Sequence, residues 1–304
     1  MAAVATRRHD HDHAVLRTEQ RGALVVALTV NAVFFVSEIV GGLAFHSLAL
    51  MADAAHMFTD VVALAVALLA IGLTRRPSTD RHTFGLERAE VLGALVNGLA
   101  LLAAGVWIVV EGIRRIGTPT DVVGGGVLAV ASIGIVVNVA SAVVLGRAQG
   151  RSLNMRGAVM HMVTDAIGLA CTCVAAIAVL VADATWADPT VSLGIAALVL
   201  YAGGRLLADT VHVLLEGTPF GMSGGDVEAT LLSAPGVEAV HHLHLWSLAS
   251  DIPALSAHVV VEGEVSLHEA QQIGDDLKER LARHHGIVHA TLELECHACD
   301  DDIH

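Results

Sequence analysis

Charged and aromatic side chains are scarce in this chain of 304 residues. Charged residues make up 16% of it and aromatic residues 3%, whereas 54% of the residues are hydrophobic. Disordered chains combine low hydrophobicity with high charge, so this composition excludes disorder. The four cysteines are too few for a disulfide scaffold in a chain of this length. The composition instead favours a polytopic membrane protein surrounded by lipid.

Basic residues are nearly absent from the C-terminal part of the chain. Residues 216–304 hold 16 acidic and 3 basic residues, a net charge of −13, whereas residues 1–215 carry −1. Nucleic acid is excluded as a partner, because no basic patch exists there to neutralise phosphates. Cations are the natural partners of an acidic surface, and 10 of the 18 histidines lie in the same segment.

Six apolar segments reach the length of about 20 residues that a helix needs to span a bilayer. They cover approximately residues 22–45, 48–73, 87–114, 121–145, 155–182 and 188–214. Arginines collect in the N-terminal tail and in the loops after the second and fourth segments, and the positive-inside rule places these loops and both termini in the cytoplasm. The predicted domains are a histidine-containing tail at 1–21, a transmembrane domain at 22–214 and a cytoplasmic domain at 215–304.

The residue pattern changes after Asp226. Strands are predicted over about 237–248, 255–262 and 288–295, with a helix over 267–285, after a short amphipathic stretch. The order α-β-β-α-β favours a small α+β domain, with the ferredoxin-like fold as the nearest named topology. The predicted fold is therefore an α-helical polytopic membrane protein with six transmembrane helices and a ferredoxin-like cytoplasmic domain.

Two apolar segments repeat one polar motif. The second contains His56 and Asp60 and the fifth contains His161 and Asp165, both as H-M-x-T-D. A spacing of four residues places both side chains on one helix face. Two imidazoles and two carboxylates form a donor set for a tetrahedral divalent cation such as Zn²⁺. The alternative is two independent His–Asp hydrogen bonds, but charged groups inside a membrane are costly, and their repetition favours the metal.

These motifs resemble those of the cation diffusion facilitator transporters. The resemblance covers about residues 20–296 and rests on three runs: SLALMADAAHMFTD at 47–60, HTFGLERAE at 82–90 and GAVMHMVTD at 157–165. It implies a homodimeric metal/proton antiporter whose cytoplasmic domain is ferredoxin-like.

The resemblance also implies roles for individual residues of the transmembrane part. Family members with Asp at the position of His56 accept Cd²⁺ or Mn²⁺ more readily, so His56 favours Zn²⁺, with Co²⁺ second and Cd²⁺ as a further candidate. Arg88 and Glu216 match positions that form a charge interlock between the membrane and cytoplasmic parts of the protomers. Solvated loop charges are the alternative for both residues.

A second metal site in the cytoplasmic domain is implied as well. The family's ligand positions match His241, His258 and Glu295. The helix position that holds another histidine in some members is Gln271 here, with His268 three residues earlier, so the fourth ligand stays open. For each of these histidines, a solvent-facing role without metal is the alternative.

Further donors lie on either side of this set. Cys296 and Cys299 form a C-x-x-C motif, which indicates a metal site or a redox pair. Strand alternation predicts that His242 and His244 share one face while His241 takes the other. Among the other polar residues of the apolar segments, Glu38 is expected to bond between helices or to line a water-filled path.

The predicted function is zinc export in exchange for protons, by alternating access at a bacterial plasma membrane. Histidine binds metal only when neutral, so metal and protons compete for these ligands. Zn²⁺ is also predicted as a regulatory ligand, with no organic cofactor. A membrane-anchored zinc sensor and an uncoupled zinc channel are the alternatives. An intramembrane metalloenzyme is disfavoured, because the chain has no H-E-x-x-H motif and four protein ligands would close the site.

Overall fold

The structure is a computed structural model that describes residues 25–26, 28–73, 79–118, 120–147, 153–249, 252–263 and 265–297. Six helices come first: α1 (Leu28–Ala44), α2 (Leu48–Leu73), α3 (Arg88–Gly117), α4 (Gly124–Arg147), α5 (Leu153–Ala182) and α6 (Ala187–Leu214). They are followed by α7 (Gly224–Leu232), β1 (Val237–Ala249), β2 (Ile252–Val261), α8 (Leu267–His285) and β3 (His289–Glu295). The chain divides into two compact units, one formed up to residue 72 and by 96–207, the other by 73–95 and from 208 onward.

The helical part contains candidate membrane spans. Among the described residues, three helices are long and apolar enough to cross a bilayer: Arg88–Gly117, Met162–Ala182 and Ala187–Leu214. Leu28–Ala44 and Gly124–Ala140 are shorter apolar helices. Large apolar side chains stay exposed along these helices, as a lipid-facing surface requires. The prediction of a helical membrane domain is confirmed, and the number of six spans stays a prediction.

A buried apolar cluster connects α1, α2, α4 and α5 in the first unit. Its members are Phe34, Leu50, Met57, Val127, Ala131, Leu169 and Ala176. Gly134 permits close packing at this point, because a Cβ there would collide with the ring of Phe34 and lie 2.7 Å from Leu169. Since Met57 lies within the first histidine motif and Leu169 lies four residues after Asp165, this cluster fixes the helix segments that carry both motifs.

The first turn of α2 is held by an aspartate that lies 140 residues away in sequence. Asp188, at the start of α6, is buried and accepts hydrogen bonds from the Ser47 hydroxyl at 2.5 Å and the Leu48 amide at 2.7 Å. The Ala49 amide donates to the same carboxylate at 3.3 Å. A carboxylate at a helix N-terminus satisfies amides that have no intrahelical partner and interacts favourably with the helix dipole. Asp188 therefore anchors the helix that carries His56 and Asp60.

The second unit contains a three-stranded sheet in the order β1-β2-β3 among the described residues. β1 pairs with β2 antiparallel, and β2 pairs with β3 parallel. The core combines side chains of α7, α8, the sheet and the loop between α8 and β3: Val227, Leu231, Leu245, Leu255, Ala257, Val259, Leu277, Leu281 and Ile287. The predicted order α-β-β-α-β is confirmed. A ferredoxin-like fold has four strands, so that finer prediction stays untested.

The helix α8 begins with a capping box. The Ser266 hydroxyl accepts a hydrogen bond from the Glu269 amide, and the Ser266 amide donates to the Glu269 carboxylate at 2.8 Å. Hydrogen bonds from the Ser266 amide and from the Ser266 hydroxyl to the Glu269 carboxylate hold the pKa of this carboxyl below its usual range. At the other end, Gly286 adopts a φ of 68°, which closes α8 in the left-handed conformation that glycine tolerates.

Candidate metal centres

The two repeated motifs of the first unit meet between α2 and α5. The Nε2 atom of His56 lies 3.4 Å from Oδ1 of Asp165. The Asp165 side chain is 12% exposed and that of His56 33% exposed, so the pair is largely shielded but still accessible. A histidine nitrogen and a carboxylate oxygen from different helices thus face one another at a distance that suits two ligands of one ion.

The other two motif residues lie one turn away on the same helices. Asp60 follows His56 on α2, is half-buried, and interacts electrostatically with Asp53. His161 precedes Asp165 on α5, and its side chain lies outside the described residues. The structure therefore brings together His56 and Asp165, with Asp60 close by on the same helix.

Two further buried carboxyl groups lie beside this pair. Glu38 on α1 is fully buried. It interacts electrostatically with Asp53 and Asp165. Asp53 is 5% exposed and interacts with His56 as well. The centre is therefore richer in acid than the repeated motif alone predicts.

Sequence reasoning did not assign Asp53 a role at the centre, and it expected Glu38 only to bond between helices or line a path. The signals were present, because both are acidic residues inside apolar segments. Asp53 also precedes His56 by three residues, which places it on the same face of α2.

The second centre lies on the sheet of the other unit. Each of the three strands contributes one side chain: His241 from β1, His258 from β2 and Glu295 from β3. Nε2 of His241 lies 2.8 Å from one Glu295 oxygen, and Nδ1 of His258 lies 2.7 Å from the other. One donor atom from each residue lies within 4.8 Å of the other two, so the set fits a divalent ion. The register explains the meeting, because His241 pairs directly with His258.

Three other predicted ligands lie outside this cluster or outside the described residues. His268 is exposed on α8, with its Nε2 3.2 Å from the Gln272 amide nitrogen. Cys296 follows Glu295 directly, and its exposed Sγ lies 3.2 Å from Nδ1 of His297. Cys299 lies outside the described residues.

The prediction of strict alternation along β1 is wrong at His242. The ladder steps from His241–His258 to His244–Ser256, so β1 holds one residue more than β2 in this interval. Such a β-bulge redirects side chains. His242 therefore turns towards His241 and His258 and does not share the opposite face with His244. The ring centroids of His241, His242 and His258 are about equally far from one another.

Arg88 and Glu216 meet as an ion pair within the second unit. Nη2 of Arg88 donates to Oε1 of Glu216 at 3.1 Å. Their side chains are 41% and 64% exposed. Exposed pairs contribute at most about 1 kcal/mol to stability, so this contact connects the start of α3 to the turn directly after α6 without contributing much to folding.

Both centres belong to parts of the chain that match known protein families. A model described as the cation efflux transmembrane domain matches residues 24–215, and one described as the cytoplasmic domain of cation efflux proteins matches residues 223–297. The chain belongs to the cation efflux family. The family indicated by the paired motifs is therefore confirmed, and with it the prediction of a transporter rather than an enzyme.

Relatives within the cation efflux family extend over nearly the whole chain. Zinc transporter ZitB of Escherichia coli is 38% identical over 296 residues, covering 96% of this chain and 93% of the relative. The metal cation efflux protein CzcD of Cupriavidus metallidurans is 35% identical, covering 96% and 91%. A cadmium, cobalt and zinc/H⁺-K⁺ antiporter of Bacillus subtilis is 34% identical, covering 97% and 94%.

A solved structure matches a smaller share of the chain. It is the metal-bound C-terminal domain of the CzcD transporter from Cupriavidus metallidurans, which is 32% identical. The match covers 23% of this chain and 94% of that one, with a TM-score of 0.21.

Proposed function

We propose that this member of the cation efflux family is a homodimeric Zn²⁺/H⁺ antiporter that exports zinc from the cytoplasm by alternating access. The contact between His56 and Asp165 carries the proposal, because it joins the two repeated motifs across α2 and α5. His56, Asp60, His161 and Asp165 are the proposed transport ligands. The names of relatives as zinc transporters and as a metal/proton antiporter support the same function.

The donor types favour zinc as the main substrate. Two imidazoles and two carboxylates suit Zn²⁺ and the neighbouring late first-row ions, whereas sites built from oxygen alone suit Mn²⁺. Co²⁺ is the second proposed substrate and Cd²⁺ the third. A relative named for cadmium, cobalt and zinc supports this range.

The acid content of the centre supports exchange rather than simple passage. Glu38, Asp53 and Asp165 interact electrostatically, and Glu38 is fully buried. Several ionised carboxylates cannot share a site of low dielectric constant unless cations neutralise them. Once the metal leaves, protons must take its place, and this requirement couples metal exit to proton entry.

The proposed topology follows the arginine distribution. Six helices span the plasma membrane between residues 22 and 214, lipid surrounds them, and both termini are cytoplasmic. The tail at 1–21 and the ferredoxin-like domain at 215–304 then lie on the same side. Arginines of the tail and of the loops after the second and fourth helices support this orientation. The match of residues 223–297 to the cytoplasmic domain of the family supports it as well.

A regulatory zinc is proposed at the sheet centre of this domain. His241, His258 and Glu295 supply two imidazole nitrogens and a carboxylate, a donor set that fits Zn²⁺. Two domains with a net charge of −13 each repel one another in a homodimer. A divalent ion in each domain offsets part of that repulsion. Cytoplasmic zinc therefore favours association of the two domains and is sensed through it.

The proposed exchange is tested by zinc flux in proteoliposomes with an imposed pH gradient. We expect zinc uptake to rise several-fold when the pH gradient is imposed. When an ionophore dissipates the gradient, uptake should return to the rate measured without a gradient. Flux that ignores the gradient would point to a channel. Zinc binding without flux would point to a sensor instead.

A further inference from the structure

His242 occupies a backbone conformation that a histidine seldom adopts in a strand. Its φ is 47°, in the left-handed region that side chains other than glycine rarely enter. His242 lies within the β-bulge of β1, since the register of the β1–β2 ladder shifts between His241 and His244. Unfavourable backbone conformations of this kind are concentrated at ligand sites, where the surrounding structure maintains them.

The consequence of the bulge is a triangle of three imidazoles. The ring centroids of His241 and His242 are 5.0 Å apart, and those of His242 and His258 are 5.1 Å apart. The third side of the triangle, between His241 and His258, is also 5.1 Å. The ring planes are inclined by 47° to 63°, so the rings are not stacked.

The spacing of the ring centroids agrees with that of imidazoles bound to one tetrahedral ion. Among the described residues, the donor atoms of His241, His258 and Glu295 already lie within 4.8 Å of one another, and the His242 ring must turn one nitrogen towards them to join the set. Zinc–nitrogen bonds are about 2.0 Å long, which puts each ring centroid roughly 3 Å from the metal and neighbouring centroids about 5 Å apart. All three sides of the triangle have this length. Glu295 lies against the same set, with one oxygen on His241 and the other on His258.

We propose that His242 is the fourth ligand of the Zn²⁺ that His241, His258 and Glu295 hold. The inference rests on the proposed regulatory site and completes its donor set with a residue of the same domain. It removes the need for His268, which is exposed on α8 and bonds to Gln272. Three neutral imidazoles and one carboxylate leave the bound Zn²⁺ with a net positive charge, which opposes the acidic surface of the domain.

The test uses the full-length protein in detergent with the transport site removed by Asp60→Ala and Asp165→Ala. Co²⁺ replaces Zn²⁺ as a spectroscopic probe, and its visible absorption reports the number and type of ligands. Zinc affinity is then measured by competition with a chelating indicator. His242→Gly removes the imidazole but suits a positive φ, so the domain is expected to remain folded.

We expect His242→Gly to weaken zinc binding by roughly tenfold to 100-fold, the range that loss of a supporting group already causes at metal sites. The Co²⁺ spectrum should also change as one nitrogen ligand is lost. His244→Gly is the matched control, because His244 is exposed two residues further along β1. Equal affinity and equal spectra for His242→Gly and His244→Gly would overturn the proposal.

A second outcome separates this inference from the proposed transport function. If the background protein binds no Co²⁺ at all, both the regulatory site and the role of His242 are overturned. Gradient-driven zinc flux by the unaltered protein is unaffected by that result, since it depends on the centre between α2 and α5.

Discussion

Replacing Asp165 with alanine should reduce gradient-driven zinc transport at least about 100-fold while leaving the protein folded. Asp165 is the residue of α5 that contacts His56, with 3.4 Å between Oδ1 of Asp165 and Nε2 of His56. Its loss removes one of four proposed ligands, and supporting groups alone change metal affinity about 10-fold to 100-fold. Zinc flux in proteoliposomes, measured at equal protein content, gives the comparison.

The matched control is Thr164→Ala, which changes the exposed neighbour of Asp165 on the same turn of α5. It should transport zinc at close to the parent rate. Asp165→Asn should be as inactive as alanine, because the amide keeps the size of the side chain but lacks the negative charge. A rate for Asp165→Ala within a factor of two of the parent would remove this residue from the transport site.

Replacing Asp188 with alanine should destabilise the helical part by about 3–5 kcal/mol, because a buried hydrogen-bonded charge is lost and its donors stay buried. The donors are the Ser47 hydroxyl and the amides of Leu48 and Ala49. At about 2–4 °C per kcal/mol for a chain of this size, the unfolding midpoint should fall by roughly 10 °C. Thermal unfolding in detergent, followed by circular dichroism, measures the shift.

Asp121→Ala serves as the comparison, since Asp121 is an exposed aspartate on the loop before α4. Its midpoint should stay within about 2 °C of the parent, as surface substitutions usually change stability by less than 0.5 kcal/mol. Asp188→Asn retains an acceptor oxygen and should lie between the two. Equal midpoints for Asp188→Ala and Asp121→Ala would show that the N-terminus of α2 does not depend on this carboxylate.

Local patterns predicted the parts of the protein that depend on short sequence spacing. His56 and Asp60 are four residues apart, and the same spacing recurs at positions 161 and 165. This spacing alone predicted that the residues of each motif share one helix face. The element order of the C-terminal domain also followed from local periodicity, and its observed strands and helix begin and end within three residues of the predicted limits. These features depend on the helical and strand periods alone.

Contacts between distant segments had no comparable signal. Asp188 reaches Ser47 across 141 residues, and a single acidic residue at a helix start does not identify its partner. The turn of His242 depends on a bulge, which strand alternation cannot anticipate because the extra residue is set by pairing with β2. Glu38 and Asp53 were visible as acids in apolar segments, but their closeness to Asp165 depends on helix packing.

The central claim is that zinc and protons occupy the same centre in turn and move in opposite directions. It is tested most directly by recording the internal pH of proteoliposomes while an imposed zinc gradient, without any initial pH difference, drives transport. The account predicts that zinc entry expels protons and makes the lumen more alkaline, and that Asp165→Ala abolishes both movements together. Zinc entry into vesicles of the parent protein with no change of internal pH would contradict it.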